Sequence, residues 1–140
     1  MAQGIEEEAV GRPLSILIVD DSAMMRAMIK RVAELASVPI VEVFEAANGA
    51  EAIAILEAHR IDALFTDINM PVMTGTELLR EIERRPEWQH LVRVIISTDG
   101  SVARREEVKQ LHVTWYVEKP FRPEVMRDVL TELSSGSAAR

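Results

Sequence analysis

Short aliphatic runs alternate along the chain with stretches whose apolar positions recur every three or four residues. Ile16-Leu17-Ile18-Val19 is an unbroken aliphatic run closed by Asp20-Asp21, the pattern of a strand buried on both faces. After it, Met25, Met28, Ile29, Val32 and Leu35 form a helical stripe, with Ser22 placed as its cap and Pro39 beyond its end. Ile40–Phe44 predicts a second strand, ended by the turn signal Asn48-Gly49, and Ala50–His59 a second helix with Ile53 and Leu56 inward. Ala63–Thr66 predicts a third strand stopped by Asp67. A loop with Pro71 and Gly75 leads to a third helix, Thr76–Arg84. Val92–Ser97, Val102–Leu111 and Val113–Glu118 then read as strand, helix and strand, with one of Ser97 and Thr98 expected to cap the helix. The last helix is expected over Pro123–Leu133, its Val125, Met126, Val129, Leu130 and Leu133 along one face.

The order is (βα)5, an α/β protein. Strands separated by helices of about ten residues require right-handed crossovers and a parallel sheet covered on both faces. Five units suit an open doubly wound sheet of order 2-1-3-4-5, whereas a closed eightfold barrel needs far more chain.

At 140 residues and 48% hydrophobic, the chain can bury one core. We expect that domain over residues 14–133, between a flexible acidic leader (1–13) and a flexible Ser/Gly/Ala tail (134–140). Cysteine is absent, which excludes disulfides, thiolate metal sites and cysteine nucleophiles. Sixteen basic against 23 acidic residues give a net charge of −7, so no basic footprint for nucleic acid is present. Arg84-Arg85 and Arg104-Arg105 are interleaved with Glu81, Glu83, Glu106 and Glu107 and read as solvated helix faces. No secretory leader and no membrane-spanning run is found, so a soluble, cytoplasmic protein without membrane insertion is expected. The Met24, Met25 and Met28 cluster, Trp88 and Trp115 are expected to pack in the interior. His59, His90 and His112 show no metal-ligand spacing.

Open parallel sheets bind ligands beyond the carboxyl ends of their strands, at the point where strand order reverses. There this sequence places Asp20-Asp21, Asp67, Ser97-Thr98 and Lys119-Pro120. Three carboxylates within about 4–5 Å repel by several kcal/mol per pair even at an effective dielectric of about 20. Lys119 offsets one charge, and a divalent cation would offset the remainder. Oxygen-only ligands select a hard ion, Mg²⁺ with Mn²⁺ as a substitute. Such a site beside a free carboxylate suits phosphoryl transfer to an aspartate.

Asp20-Asp21, the segment Phe65-Thr66-Asp67-Ile68-Asn69-Met70-Pro71 with Gly75, Ser97, and Lys119-Pro120-Phe121 together resemble the receiver domain of bacterial two-component response regulators, of the single-domain chemotaxis type. The resemblance covers about residues 14–133 and implies a flavodoxin-like fold, for which 2-1-3-4-5 is also the family's order. It implies that Asp67 is the phosphoacceptor and that Asp20, Asp21, Asp67 and the main-chain carbonyl of Asn69 hold Mg²⁺. Lys119 would pair with Asp67 and then with a phosphoryl oxygen. The spacing of thirty residues from Asp67 to Ser97 and fifty-two to Lys119 is similar to that of the single-domain chemotaxis regulators, and the resemblance implies that Ser97 takes the switch position and Tyr116 the aromatic switch position. Asn69, Thr98 and Asp99 fall where the family tunes access and autodephosphorylation; an amide and an acid at 69 and 99 imply a short-lived phosphoryl mark.

Phosphorylation of Asp67 replaces a charge of −1 by about −2. The resemblance implies that Ser97 then moves toward the phosphoryl group, that Tyr116 turns inward, and that the helix 4–strand 5–helix 5 surface changes for a partner. The implied phosphodonor is a sensor histidine kinase, a histidine phosphotransfer protein or a small phosphodonor. The expected state is monomeric or a phosphorylation-dependent dimer, and the module is no enzyme beyond its own autophosphorylation and autodephosphorylation chemistry. Alternatives are a fragment of a longer regulator, a receiver-like scaffold that does not phosphorylate, and a Mg²⁺-dependent phosphatase using Asp67 on a small substrate. The last would need a cap or substrate pocket that 140 residues do not obviously provide.

Overall fold

A computed structural model describes residues 13–135; residues 1–12 of the expected leader and 136–140 of the expected tail lie outside it. The elements are β1 (Leu14–Val19), α1 (Ala23–Leu35), β2 (Ile40–Ala46), α2 (Gly49–Ala58), β3 (Ala63–Thr66), α3 (Gly75–Glu83), β4 (Val92–Ser97), α4 (Val102–Lys109), β5 (Trp115–Glu118) and α5 (Pro123–Ser135). A 3₁₀ turn, Pro86–Trp88, precedes β4. The strands form one parallel sheet of order 2-1-3-4-5, as the alternation predicts.

The period of two along each strand divides the core in half. Leu17, Val19, Leu64 and Ile95 face α2, α3 and α4, meeting Ala52, Leu56, Leu78, Leu79, Ile82 and Val108. Ile16, Ile18, Phe65, Val94 and Ile96 face α1 and α5, meeting Ile29, Ala33, Met126, Val129, Leu130 and Leu133. Strands β3 and β4 are buried throughout, while the edge strands β2 and β5 are partly exposed.

The helix starts are set by side chains that accept otherwise orphaned backbone N–H groups. Ser22, Asn48 and Ser101 cap α1, α2 and α4, and Thr74 with Glu77 makes a reciprocal capping box on α3. The α4 cap corrects the expectation of Ser97 or Thr98: the chain turns through Asp99 and Gly100 before the helix begins. On α1 the inward stripe runs through Met25, Ile29, Val32 and Ala33, leaving Met24, Met28 and Leu35 exposed. Small Ala33 lets the helix approach the sheet, so the larger Met28 and Leu35 are turned outward; Met24 and Met28 depart from the interior placement expected for them, while Met25 keeps it. Val125 is likewise exposed, and α5 continues to Ser135 with Ser134 buried. Trp88 is buried as expected, under the guanidinium of Arg85 at 4.4 Å from the ring centroid.

One charged residue in the core has no signature in the strand pattern. Arg93 on β4 is 1% exposed; it pairs with Glu83 at the end of α3 and donates to the carbonyl of Leu111 at 3.0 Å. Glu83 also meets His112 Nδ1 at 2.9 Å. Burial raises the Glu83 carboxyl, but the His112 and Arg93 hydrogen bonds outweigh it and hold the group below its ordinary value. Glu83 is better exposed than Arg93, so removing either partner has unequal consequences. Glu83→Ala strands a buried guanidinium and is expected to cost about 3–5 kcal/mol, whereas Arg93→Met leaves a carboxylate with some access to water and costs less. Urea unfolding of both variants tests this order.

Candidate functional site

Parallel strands deliver their carboxyl ends to one edge. Asp20 directly follows β1, where its N–H donates to the carbonyl of Ala46 at 3.0 Å. Its carboxylate accepts from Ser22 N–H at 2.9 Å and from Lys119 Nζ at 2.8 Å, and the residue is 2% exposed. Asp67 directly follows β3 and donates its N–H to Val19 at 2.9 Å. Its Oδ1 accepts from Ile68 N–H at 2.6 Å and its Oδ2 from Lys119 Nζ at 2.9 Å. Asp21 is exposed, and one carboxylate oxygen from each of Asp20, Asp21 and Asp67 lies within 4.8 Å of the others.

Lys119 follows β5, with its N–H bonded to Ser97 at 2.8 Å, and the Lys119–Pro120 bond is cis. Burial alone would lower its ammonium. The hydrogen bonds and charges of Asp20 and Asp67 overcome that and raise it above the usual lysine value. One ammonium against three carboxylates leaves about −2 in a cleft whose donors are all oxygen. That set fits a hard divalent cation in both charge and ligand type.

The β3–α3 loop is tied back under Asp67. Gly75 donates to the carbonyl of Ile68 at 2.8 Å, and a Cβ on Gly75 would collide with the Asp67 carbonyl oxygen. The glycine read from the sequence is thus a close approach of α3 to the main chain of Asp67. Asn69, two residues beyond Asp67, is exposed on this loop. Val72 follows with φ 70°, a left-handed conformation unusual for a β-branched residue.

Ser97 ends β4 fully buried, and its Oγ accepts from Asp99 N–H at 3.2 Å. Thr98 is exposed at the rim. Asp99 turns its carboxylate toward the start of α4, accepting from Ser101 N–H and Arg104 Nε, each at 3.1 Å. Hydrogen bonds from Ser101 and then Arg104 hold its carboxyl below the usual range.

Tyr116 on β5 is half-buried, packed against the core, and its hydroxyl donates to the carbonyl of Asp99. Burial and then the Asp99 charge raise that hydroxyl, partly opposed by Arg105 and Arg104. The Arg105 guanidinium lies 4.4 Å from the Tyr116 ring centroid, pairs with Glu118 at 3.1 Å and donates to Gly100 O at 3.3 Å. A Cβ on Gly100 would meet the Glu118 carboxylate. Tyr116 therefore lies inward here, covered by a cation.

The sheet edge brings together Asp20, Asp21, Asp67 and Lys119, with Ser97 beside them on β4 and Asn69 and Thr98 at the rim. Tyr116 and Asp99 form an adjoining unit with α4. Sequence reasoning missed Arg26, which donates to the Asp20 carbonyl at 2.6 Å and pairs with Glu45 at 3.0 Å. It also missed Arg105 as the cover of Tyr116. Arg26 stands four residues after the α1 cap, a spacing that places it beside the strand end; Arg105 has no comparable signal.

The response regulator receiver domain family matches residues 16–131. The chain is 32% identical over 126 residues to a chemotaxis protein CheY homolog of Campylobacter jejuni, covering 89% of this chain and 95% of that one. It is 33% identical over 120 residues to the chemotaxis protein CheY of Pseudomonas aeruginosa, covering 86% and 95%. Among solved structures, the chemotaxis response regulator CheY4 of Vibrio cholerae superposes with a TM-score of 0.77 at 31% identity, over 87% of this chain and 99% of that one. A putative response regulator from Chloroflexus aurantiacus gives 0.80 at 26% identity, over 92% and 100%. With its doubly wound sheet and acidic strand ends, this chain belongs to the response regulator receiver domain family.

Proposed function

We propose that this receiver is a phosphorylation-controlled signalling module in which Asp67 accepts a phosphoryl group. The observation that carries this reading is Lys119 Nζ bridging Asp20 and Asp67, at 2.8 and 2.9 Å, beside the third carboxylate of Asp21. Asp20, Asp21, Asp67 and the carbonyl of Asn69 would hold Mg²⁺, or Mn²⁺ in its place. When bound, the cation neutralises the acidic cluster and the charge on the transferring phosphoryl oxygens.

An Asp67 oxygen attacks phosphorus; the bond from phosphorus to the donor's histidine nitrogen, or to the acyl oxygen of a small donor, breaks. The leaving histidine takes up a proton. Lys119 keeps its charge throughout and offers it to a phosphoryl oxygen. Ser97, buried one strand away, supplies a hydroxyl for another, with Asn69, Thr98 and Asp99 tuning access and hydrolysis. Tyr116 and the α4–β5–α5 face carry the change to a downstream protein. The module works in the cytoplasm with a sensor histidine kinase or a histidine phosphotransfer protein. It is monomeric or dimerises on phosphorylation, and its likeness to CheY proteins supports chemotaxis-type signalling. The functional unit is residues 14–133, and nucleic acid is not its target.

Acetyl phosphate with Mg²⁺ is expected to add one phosphoryl group to the wild-type chain and none to Asp67→Asn or to wild type in excess EDTA, read by intact mass. The adduct should decay in minutes; persistence over many hours would contradict the roles given to Asn69 and Asp99. Ser97→Ala should still accept phosphate but lose a charge-assisted hydrogen bond worth about 1.5–3 kcal/mol. Its amide NMR shifts across α4 and β5 on phosphorylation should then shrink by more than half. A raised lysine contributes stability in full below its ordinary value of 10.5, and that contribution disappears as pH rises through the higher folded value. The stability difference between wild type and Lys119→Met is therefore expected to hold from pH 7 to about 10 and to narrow above it, measured by urea unfolding.

A further inference from the structure

We propose that Arg26 is a positioning residue for the metal-binding carboxylates: a guanidinium clamp on the peptide between Asp20 and Asp21, braced from behind by Glu45. The proposal rests on the cation-binding reading of the acidic cluster.

Arg26 lies on the first turns of α1, and its side chain folds back toward the end of β1. Its Nη1 donates to the Asp20 carbonyl oxygen at 2.6 Å, while its Nε pairs with Glu45 Oε1 on β2 at 3.0 Å; the side chain is 18% exposed. The planar fork therefore joins the first helix, the end of the first strand and the edge strand through two bonds of fixed relative direction. The two acidic residues need this support unequally. Asp20 has both carboxylate oxygens engaged, by Ser22 N–H and by Lys119. Asp21 is exposed and makes no side-chain hydrogen bond or ion pair among the described residues. Its carboxylate is aimed only by the main chain it hangs from, and Arg26 grips the carbonyl of that peptide.

Charge and geometry make opposite predictions for removing Arg26. On Coulomb terms, deleting a cation beside an anionic cleft tightens cation binding. If Arg26 acts by fixing the Asp20–Asp21 peptide, its loss weakens binding instead. Glu45 offsets the guanidinium's charge, so the geometric effect is expected to prevail.

The test uses Mn²⁺ alone as the probe, titrated into the full chain and followed by the loss of the free-ion electron paramagnetic resonance signal. Arg26→Met is expected to raise the Mn²⁺ dissociation constant about tenfold, at the lower end for residues that orient metal ligands. Arg26→Lys keeps the charge but not the fork and should fall between the two. The loss should persist at high salt, where a purely electrostatic effect is screened. Equal or tighter Mn²⁺ binding by Arg26→Met overturns the proposal, as does full recovery in Arg26→Lys. If Arg26→Met does not fold, Glu45→Ala decides: salt-resistant weakening supports the clamp, and unchanged binding overturns it. Wild type that binds no Mn²⁺, or binds it equally well as Asp67→Asn, removes the metal reading itself and this inference with it.

Discussion

The ammonium of Lys119 sits between two carboxylates that the chain separates by 99 and 52 residues. Lys119 leaves the end of β5, passes over the end of β4, where its own N–H is fixed by Ser97, and reaches Asp67 just beyond β3 and Asp20 just beyond β1. That reach is possible only if β1, β3, β4 and β5 are parallel and end on one edge. Burial makes the arrangement demanding: Asp20 is almost completely removed from water, and an unpaired carboxylate there would be costly. The contact that neutralises the site therefore also ties its strands together.

Support for that contact comes mainly from apolar material. The central strands carry aliphatic side chains on both faces, and the two halves of the core hold the sheet between α1 and α5 on one side and α2, α3 and α4 on the other. Side-chain caps start four helices, three of them within four residues of a strand end. Gly75 allows the main chain of α3 to close against Asp67. The loops that carry the charged groups are thus held by helix caps and, under Asp67, by the close approach at Gly75.

Among the described residues, fully buried charge lies at the two ends of this apolar slab, in Asp20 and Arg93. At the carboxyl edge it is in deficit of cations, which is the condition for binding one. At the opposite end, Arg93 is buried and already engaged by Glu83 and by main-chain carbonyls, an arrangement with a structural role. Between the acidic cluster and α4 lies Tyr116, whose hydroxyl meets the Asp99 carbonyl while Arg105 covers its ring. The loop that leads into α4 and strand β5 are therefore joined through the inward-lying side chain of Tyr116.

Much of this was legible from sequence because the signals are local and periodic. The unbroken run at Ile16–Val19, the alternation of strand and helix, and acidic or basic residues at strand ends pointed to the parallel sheet and to the Asp20, Asp21, Asp67 and Lys119 cluster, while the strand order came with the fold type and the family resemblance. The start of α4 at Val102 was legible, but its cap was not: Ser101 caps it in place of Ser97 or Thr98, and the helix ends two residues earlier than expected, at Lys109. Rotation of a helix about its axis was less accessible: Ala33 packs inward while Met28 and Leu35 face out, because close approach to the sheet favours a small side chain that a count of large apolar residues overlooks. Only the tertiary structure decided which arginines tie separate elements together around the site and the core. In a chain with thirteen of them, Arg26, Arg93 and Arg105 look like their surface counterparts. Their partners — the Asp20 carbonyl, Glu83 and the Tyr116 ring — lie on other elements and become neighbours only when the sheet has formed.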